Sequence, residues 1–263
     1  MLKKKWIKIG LGVIILALAG FLAIQIYFFA QKQQLKNFKV SYQNEIPTIY
    51  LPGLYGTDMT WGGFIQRYQE FGQSKLGYVV NVAKNGQFTE KKVAGMHDNP
   101  AIQMIFAQNA QPKIEARQLY KYLQYLKAKR GVKTVYLVGH SSGATMGYDM
   151  LVAHPNDSTI PRVQKFVSLA GDFPVHVTQA ARAKVNNISP SLQVLNVGGK
   201  LWHLSSDGLV KLKEVTILRD YLPRKTAYQL VIIKGGPLKA FHSTLHENVA
   251  VDKLVAQFLY PVH

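Results

Sequence analysis

The sequence predicts an α/β fold: a mostly parallel central sheet with helices on both faces, preceded by one membrane-spanning helix. Three observations carry this. Short apolar runs of strand length alternate with longer stretches of helical period across residues 48–260, the pattern of a sheet covered on both sides. A run of 22 residues without a charge, 9–30, stands ahead of them. A glycine-flanked serine, in Gly139-His140-Ser141-Ser142-Gly143, sits between a strand-like and a helix-like piece.

At 1.5 Å per residue the segment 9–30 spans the hydrocarbon of a bilayer. Gln25 is its one strongly polar side chain, and Trp6 and Tyr27 fall where aromatic rings favour the two interfaces. Lys3, Lys4 and Lys5 bias the N-terminus toward the cytoplasm, against the sparser Lys32, Lys36 and Lys39. The expected organisation is a basic cytoplasmic N-terminus (1–8), a transmembrane signal anchor (9–30), a polar tether (31–46) and an extracellular α/β domain (47–263). The alternative is a cleaved signal peptide, with Ala17-Leu18-Ala19 as cleavage site and a secreted domain. Apolar sequence continuing through Phe28 and Phe29 favours the anchor.

Residues 48–51 read as a short buried strand ending at Pro52-Gly53, and 61–71 as a helix. Residues 78–83 and 87–93 flank Lys84-Asn85-Gly86, and Asn-Gly is a strong hairpin signal. A strand over 101–106 precedes a helix over 111–129, with Pro112 in its first turn, Leu119, Tyr122, Leu123 and Leu126 on one face, and Gly131 to end it. Residues 134–138 form a strand and 142–154 a helix stopped by Pro155. Further strands fall at 163–169, 192–197 and 228–233, and a last helix at 247–260 turns Val251, Leu254, Val255, Phe258 and Leu259 inward. In such sheets ligands gather at the carboxyl ends of the strands.

The chain has no cysteine, which excludes disulfides, thiolate metal sites and cysteine nucleophiles. Its net charge is +18. Residues 1–40 hold seven of the 32 basic residues and no acid; the remaining 25 face 14 acids, so the domain itself carries +11. Such a domain beside a membrane is drawn to anionic lipid or another envelope polyanion. The basic residues are scattered and no nucleic-acid motif accompanies them, which argues against nucleic acid as the partner.

Gly139-His140-Ser141-Ser142-Gly143 fits G-x-S-x-G and lies between a buried strand and a helix, the context in which that pattern carries chemistry. A sharp, strained turn would lift the Ser141 hydroxyl clear of the sheet, with glycines where a side chain would collide. The His140 side chain should point away from the nucleophile. Acyl transfer also needs N–H donors for the oxyanion. Ser142 N–H, next after the nucleophile, is one, and Leu54 in the loop Pro52-Gly53-Leu54-Tyr55-Gly56 is the other, with Tyr55 as second choice.

A serine nucleophile needs a base, and the base a carboxylate. On a turn of this kind the chain order is serine, acid, histidine. Asp207 follows the strand 192–197 and is favoured as the acid over Asp172; His242 follows the last strand and is favoured as the base over His246. Tyr55, Trp61, Tyr148 and Trp202 are candidates to line an acyl pocket. The chemistry needs no metal and no cofactor.

On these residues the sequence resembles the α/β-hydrolase superfamily and, within it, the cell-surface α/β hydrolases of unknown function from Gram-positive bacteria. The likeness spans roughly 46–261. It is carried by Pro-Gly-Leu-Tyr-Gly-Thr at 52–57, Gly-His-Ser-Ser-Gly at 139–143, Ser-Asp-Gly-Leu-Val at 206–210 and His-Ser-Thr-Leu-His-Glu-Asn at 242–248. Relatives usually have His-Gly where this chain has Pro52-Gly53, and many have glycine where it has Ala144. The resemblance implies an α/β-hydrolase fold, nucleophile, acid and base at Ser141, Asp207 and His242, and esterase-like chemistry. The function expected is a membrane-bound serine hydrolase of carboxylic esters, with a small-molecule or lipid-like substrate, acting through an acyl-enzyme at the outer face of the membrane. An acyltransferase or thioesterase with the same triad, or a non-catalytic binder of envelope polyanions, is the alternative.

Overall fold

A computed structural model describes residues 2–36, 38–40 and 44–260, without the side chains of 2–5 and 180–182. The chain divides into two units, Met1–Phe38 and Lys39–His263. The first is one helix, α1 (Leu2–Gln33), whose apolar side chains from Trp6 onward are largely exposed and which is long and apolar enough to cross a membrane. It is a signal or an anchor by these properties. Helix therefore occupies the start of the expected tether over 31–46. Positions 37 and 41–43 of that tether, and 261–263 of the expected domain, lie outside the described residues.

The second unit is an eight-stranded sheet in the order β3-β2-β4-β1-β5-β6-β7-β8. The strands are β1 (Thr48–Leu51), β2 (Lys75–Val82), β3 (Phe88–Lys92), β4 (Pro100–Phe106), β5 (Thr134–His140), β6 (Arg162–Leu169), β7 (Gln193–Leu201) and β8 (Ala227–Gly235). All neighbours pair in parallel except β2 and β3, which form the antiparallel hairpin that Asn85-Gly86 announced, with Gly86 at φ +81°. Every residue of β1 is buried, as a central parallel strand covered on both faces requires.

The helices α2 (Asp58–Glu70), α3 (Pro112–Arg130), α4 (Ser142–Ala153) and α8 (Val249–Leu259) correspond to the four read from the sequence. Pro112 opens α3 and Gly131 caps it in the left-handed conformation at φ 66°. Three short helices, α5 (Gln179–Val185), α6 (Leu212–Thr216) and α7 (Pro237–Ala240), and the 3-10 turns Ile217–Tyr221 and His242–Glu247 complete the unit. They are too short to show a helical period.

Strand order decides where a ligand sits. β4 lies on one side of β1 and β5 on the other. The chain therefore reverses its direction of winding about β1, and a crevice opens there above the carboxyl ends.

The crevice is held from one side by a partly buried ion cluster. Arg67 of α2 gives Nε to Asp252 Oδ2 at 2.6 Å, Nη1 to Glu247 Oε2 at 2.5 Å and Nη2 to the His246 carbonyl at 2.7 Å. Tyr68 Oη donates to the Asp252 carbonyl at 2.6 Å. These bonds fasten α2 to the turn His242–Glu247 and to α8. Burial holds the Asp252 carboxyl up at about 6 even beside its cation.

Arg67→Met leaves that carboxylate buried without a cation. It should cost about 3–5 kcal/mol in denaturant unfolding at neutral pH, most of it recovered in R67M/D252L. The unpaired Asp252 carboxyl would rise further above its unfolded value of about 3.9 and so take up a proton on folding. The native state then binds more protons than the unfolded chain, and the deficit of R67M should shrink as the pH is lowered from about 7 to about 5.

Candidate active site

Ser141 lies between the end of β5 and the start of α4 at φ 54°, ψ −129°, a region that costs a non-glycine residue strain. Its N–H donates to the Leu169 carbonyl at 2.9 Å, and its carbonyl accepts from Ala144 N–H at 2.9 Å. The flanking glycines are steric necessities. A Cβ on Gly139 would stand 2.5 Å from Ala144 N, and one on Gly143 would strike the carbonyl oxygens of Leu51 and Pro52, the latter at 2.5 Å.

Asp207 lies in the turn after β7 and is fully buried. Its Oδ1 accepts from Leu209 N–H at 3.0 Å and Val210 N–H at 2.7 Å. Its Oδ2 lies 2.7 Å from His242 Nδ1, and the His242 N–H donates to the Asp207 carbonyl at 3.0 Å. With Nδ1–H given to the carboxylate, neutral His242 keeps a bare Nε2 for a proton. The two runners-up are placed differently. Asp172 accepts from Thr145 Oγ1 at 2.8 Å, and His246 Nδ1 faces Glu247 Oε1 at 3.3 Å.

Ser141 and His242 open on one cleft of about 630 Å³, walled also by Gly53, Leu54, Tyr55, Met59, Leu209 and His246. The Ser141 hydroxyl has no hydrogen-bond partner among the described residues; such bonds often tighten only when substrate is present. The loop after β1 approaches closely: a Cβ on Gly53 would lie 3.0 Å from Ser141 Cβ. Tyr55 N–H is spent on the Asn109 carbonyl at 3.1 Å and Gly56 N–H on the Gly53 carbonyl at 2.9 Å. Among the described residues neither Leu54 N–H nor Ser142 N–H, at the open start of α4, has an acceptor.

Of the four aromatic residues expected around an acyl pocket, the structure brings only Tyr55 to the cleft. Trp61 is fully buried, with its indole N–H on the Leu51 carbonyl at 2.9 Å. Tyr148 is a core residue whose hydroxyl donates to the Tyr221 carbonyl at 2.9 Å. Trp202 is exposed beyond the cleft wall and packs on Gly236. Apolar size marks both core and cleft residues, so composition does not separate them.

Three residues that matter to the geometry were not singled out for it. Asn109 braces the loop after β1: its carbonyl takes Tyr55 N–H and its Nδ2 donates to the Gly56 carbonyl. Arg67 holds the turn that carries His242. His140 is buried in the cleft wall and its Nε2 lies 3.2 Å from the His242 carbonyl. A carbonyl only accepts, so His140 Nε2 carries the proton. Burial, with His246 and His242 close by, pushes the His140 pKa well below the ordinary histidine value and keeps the ring neutral. The one available signal was a histidine at the variable position of the motif.

The profile of the family described as "Alpha/beta hydrolase of unknown function (DUF915)" matches residues 35–186 and 174–261. No curated protein matches the sequence. The solved structure of the lin2722 product from Listeria innocua is similar at 23% identity and a TM-score of 0.73, over 84% of this chain and 96% of that one. A second, from Lactobacillus plantarum WCFS1 and provisionally named a cell surface hydrolase, is similar at 19% identity and a TM-score of 0.66, over 81% and 91%. At these identities the likeness is one of fold.

The crowding at the serine turn gives a direct test. Gly143→Ala should lower stability by about 1–3 kcal/mol in denaturant unfolding, because two carbonyl oxygens occupy the place of the new methyl. Gly62→Ala, inside α2 with open space around it, should instead stabilise by about 0.5–1 kcal/mol.

Proposed function

Because the chain belongs to the DUF915 family of α/β hydrolases of unknown function, we propose that it hydrolyses carboxylic esters with Ser141 as nucleophile, His242 as base and Asp207 as the orienting acid. The observation that carries this is the buried Asp207–His242 pair, 2.7 Å apart, whose imidazole shares a cleft with a serine held at positive φ. Neither feature is needed for folding alone, and together they are the parts of an acyl-transfer site.

The imidazole Nε2 takes the Ser141 proton as Oγ attacks the ester carbonyl. Negative charge develops on the carbonyl oxygen, where the free N–H groups of Leu54 and Ser142 and the start of α4 stabilise it. Asp207 fixes the tautomer of His242 and offsets the positive charge that the ring acquires. Collapse expels the alcohol, protonated by His242, and leaves an acyl-Ser141 that water cleaves by the same steps. His140 is a positioning residue here: it holds the carbonyl of His242 and stays uncharged, so a single imidazolium forms. No step calls for a metal or a cofactor. The apolar α1 behind a Lys3-Lys4-Lys5 cluster supports an anchored protein with its hydrolase unit outside the cell.

A fluorophosphonate probe should label the wild-type protein and not Ser141→Ala; equal labelling of both would remove Ser141 from the role. Asp207→Asn should lower kcat toward a soluble ester by roughly 10³–10⁴-fold with little change in KM, the loss expected when the histidine tautomer is no longer held. Added alcohols should leave the yield of free acid unchanged; capture of the acyl group by them would identify a transferase. Salt-sensitive binding to an envelope polyanion with no ester turnover would favour the non-catalytic reading.

A further inference from the structure

Outside α1, nine large hydrophobic side chains are exposed among the described residues, and their distribution is uneven. Seven stand on the segments that rise from the carboxyl end of the sheet: Leu54, Tyr55 and Met59 after β1, Trp202, Leu204 and Leu209 after β7, and Leu238 after β8. The other two, Val93 just after β3 and Leu230 within β8, lie away from that end. Single exposed apolar residues scattered over a surface are ordinary; a concentration around one cleft marks a contact. Met59 is 80% exposed, Leu209 66% and Trp202 62%, so the cleft uses little of their area.

Charge accompanies this rim. Lys211 and Lys239 are exposed on the same segments and Lys234 at the end of β8; besides Asp207, the acids there are Asp58 and Asp220, exposed, and Glu214 and Glu247, half-buried. Tryptophan, leucine and lysine together suit a bilayer interface, where apolar groups enter the acyl boundary and ammonium groups meet anionic headgroups. The cleft opens at the same end of the sheet, with Leu54, Tyr55, Met59 and Leu209 in its walls. A small soluble ester needs no apolar rim beyond the cleft, and a hydrated polyanion would be met by charge, not by leucine and methionine. The same chain carries a helix able to cross a bilayer.

We infer that this face docks on an anionic lipid bilayer and that the substrate is an acyl ester of a membrane lipid, drawn from the bilayer into the cleft. The identity of the substrate rests on the esterase reading above; the docking does not. Ser141 Oγ bonds to the acyl carbon while the ester C–O bond breaks. The lysolipid alcohol leaves with the proton from His242, and water then releases the fatty acid and restores the serine hydroxyl.

The test uses the full chain in phosphatidylcholine vesicles with and without phosphatidylglycerol. A triple variant, Trp202→Ser, Leu204→Ser and Leu238→Ser, alters the rim beyond the cleft. It should hydrolyse a fluorogenic phospholipid in the vesicle at least about tenfold more slowly than wild type, a loss of about 1.4 kcal/mol in productive docking. Cleavage of a soluble short-chain ester by the same vesicles should be unchanged. Phosphatidylglycerol should speed wild-type phospholipid cleavage, and salt should reverse the gain. Equal effects on both substrates, or on neither, overturn the inference. A separate readout is independent of activity: brominated lipid should quench wild-type tryptophan emission more than that of Trp202→Phe, and equal quenching rules the docking out. Quenching with no cleavage of any ester would instead keep the docking face and remove the esterase reading.

Discussion

Where the end of β1 meets the start of α4, two backbones touch and the space admits no side chain. Gly143 lies against the carbonyls of Leu51 and Pro52, and Gly139 against the first turn of α4. Close packing at that point leaves Ser141 one path, through positive φ. It also brings the loop after β1 beside the serine, so that Gly53 nearly touches it. The strain at Ser141 and the nearness of Gly53 are therefore two results of the same contact. If β1 withdrew by the radius of a methyl group, both would relax.

The other half of the site is rigid for a different reason. Asp207 and His242 are joined twice, through their side chains and through the His242 N–H on the Asp207 carbonyl. Two backbone N–H groups hold the second carboxylate oxygen, so the acid cannot turn away without losing them. His140 and Arg67 both grip the backbone of the turn that bears His242. The serine is thus fixed by crowding and the histidine by hydrogen bonds, and only the cleft between them is left open.

Much of this was legible in the sequence because much of it is local. Eight strands and four long helices announce themselves by run length and period, and the serine turn by five consecutive residues. Asp207 and His242 were reachable through chain order, since each follows a strand and must emerge at the same end of a parallel sheet. What was not legible depends on long-range contact. The placement of β4 between β2 and β1 leaves no trace in the order of the strands. Asn109, Arg67 and His140 act on partners more than 50 positions away, and nothing beside them in the sequence names those partners. The aromatic residues show the converse. Trp61 reads as a pocket residue until its indole is seen to be spent on the Leu51 carbonyl inside the core.

The Arg67 cluster also orders events in time. Its guanidinium and the two carboxylates that pair with it are separated by 180 and 185 positions. A chain still being synthesised carries α2 with that cation unsatisfied until nearly the whole domain has emerged. Contacts so distant in sequence form late, after the costly closure of a long loop. The turn bearing His242 arrives with the carboxylates that neutralise Arg67. An incomplete molecule is thus loose, and the cleft that Ser141 and His242 share is not assembled until the fold that confines it has closed.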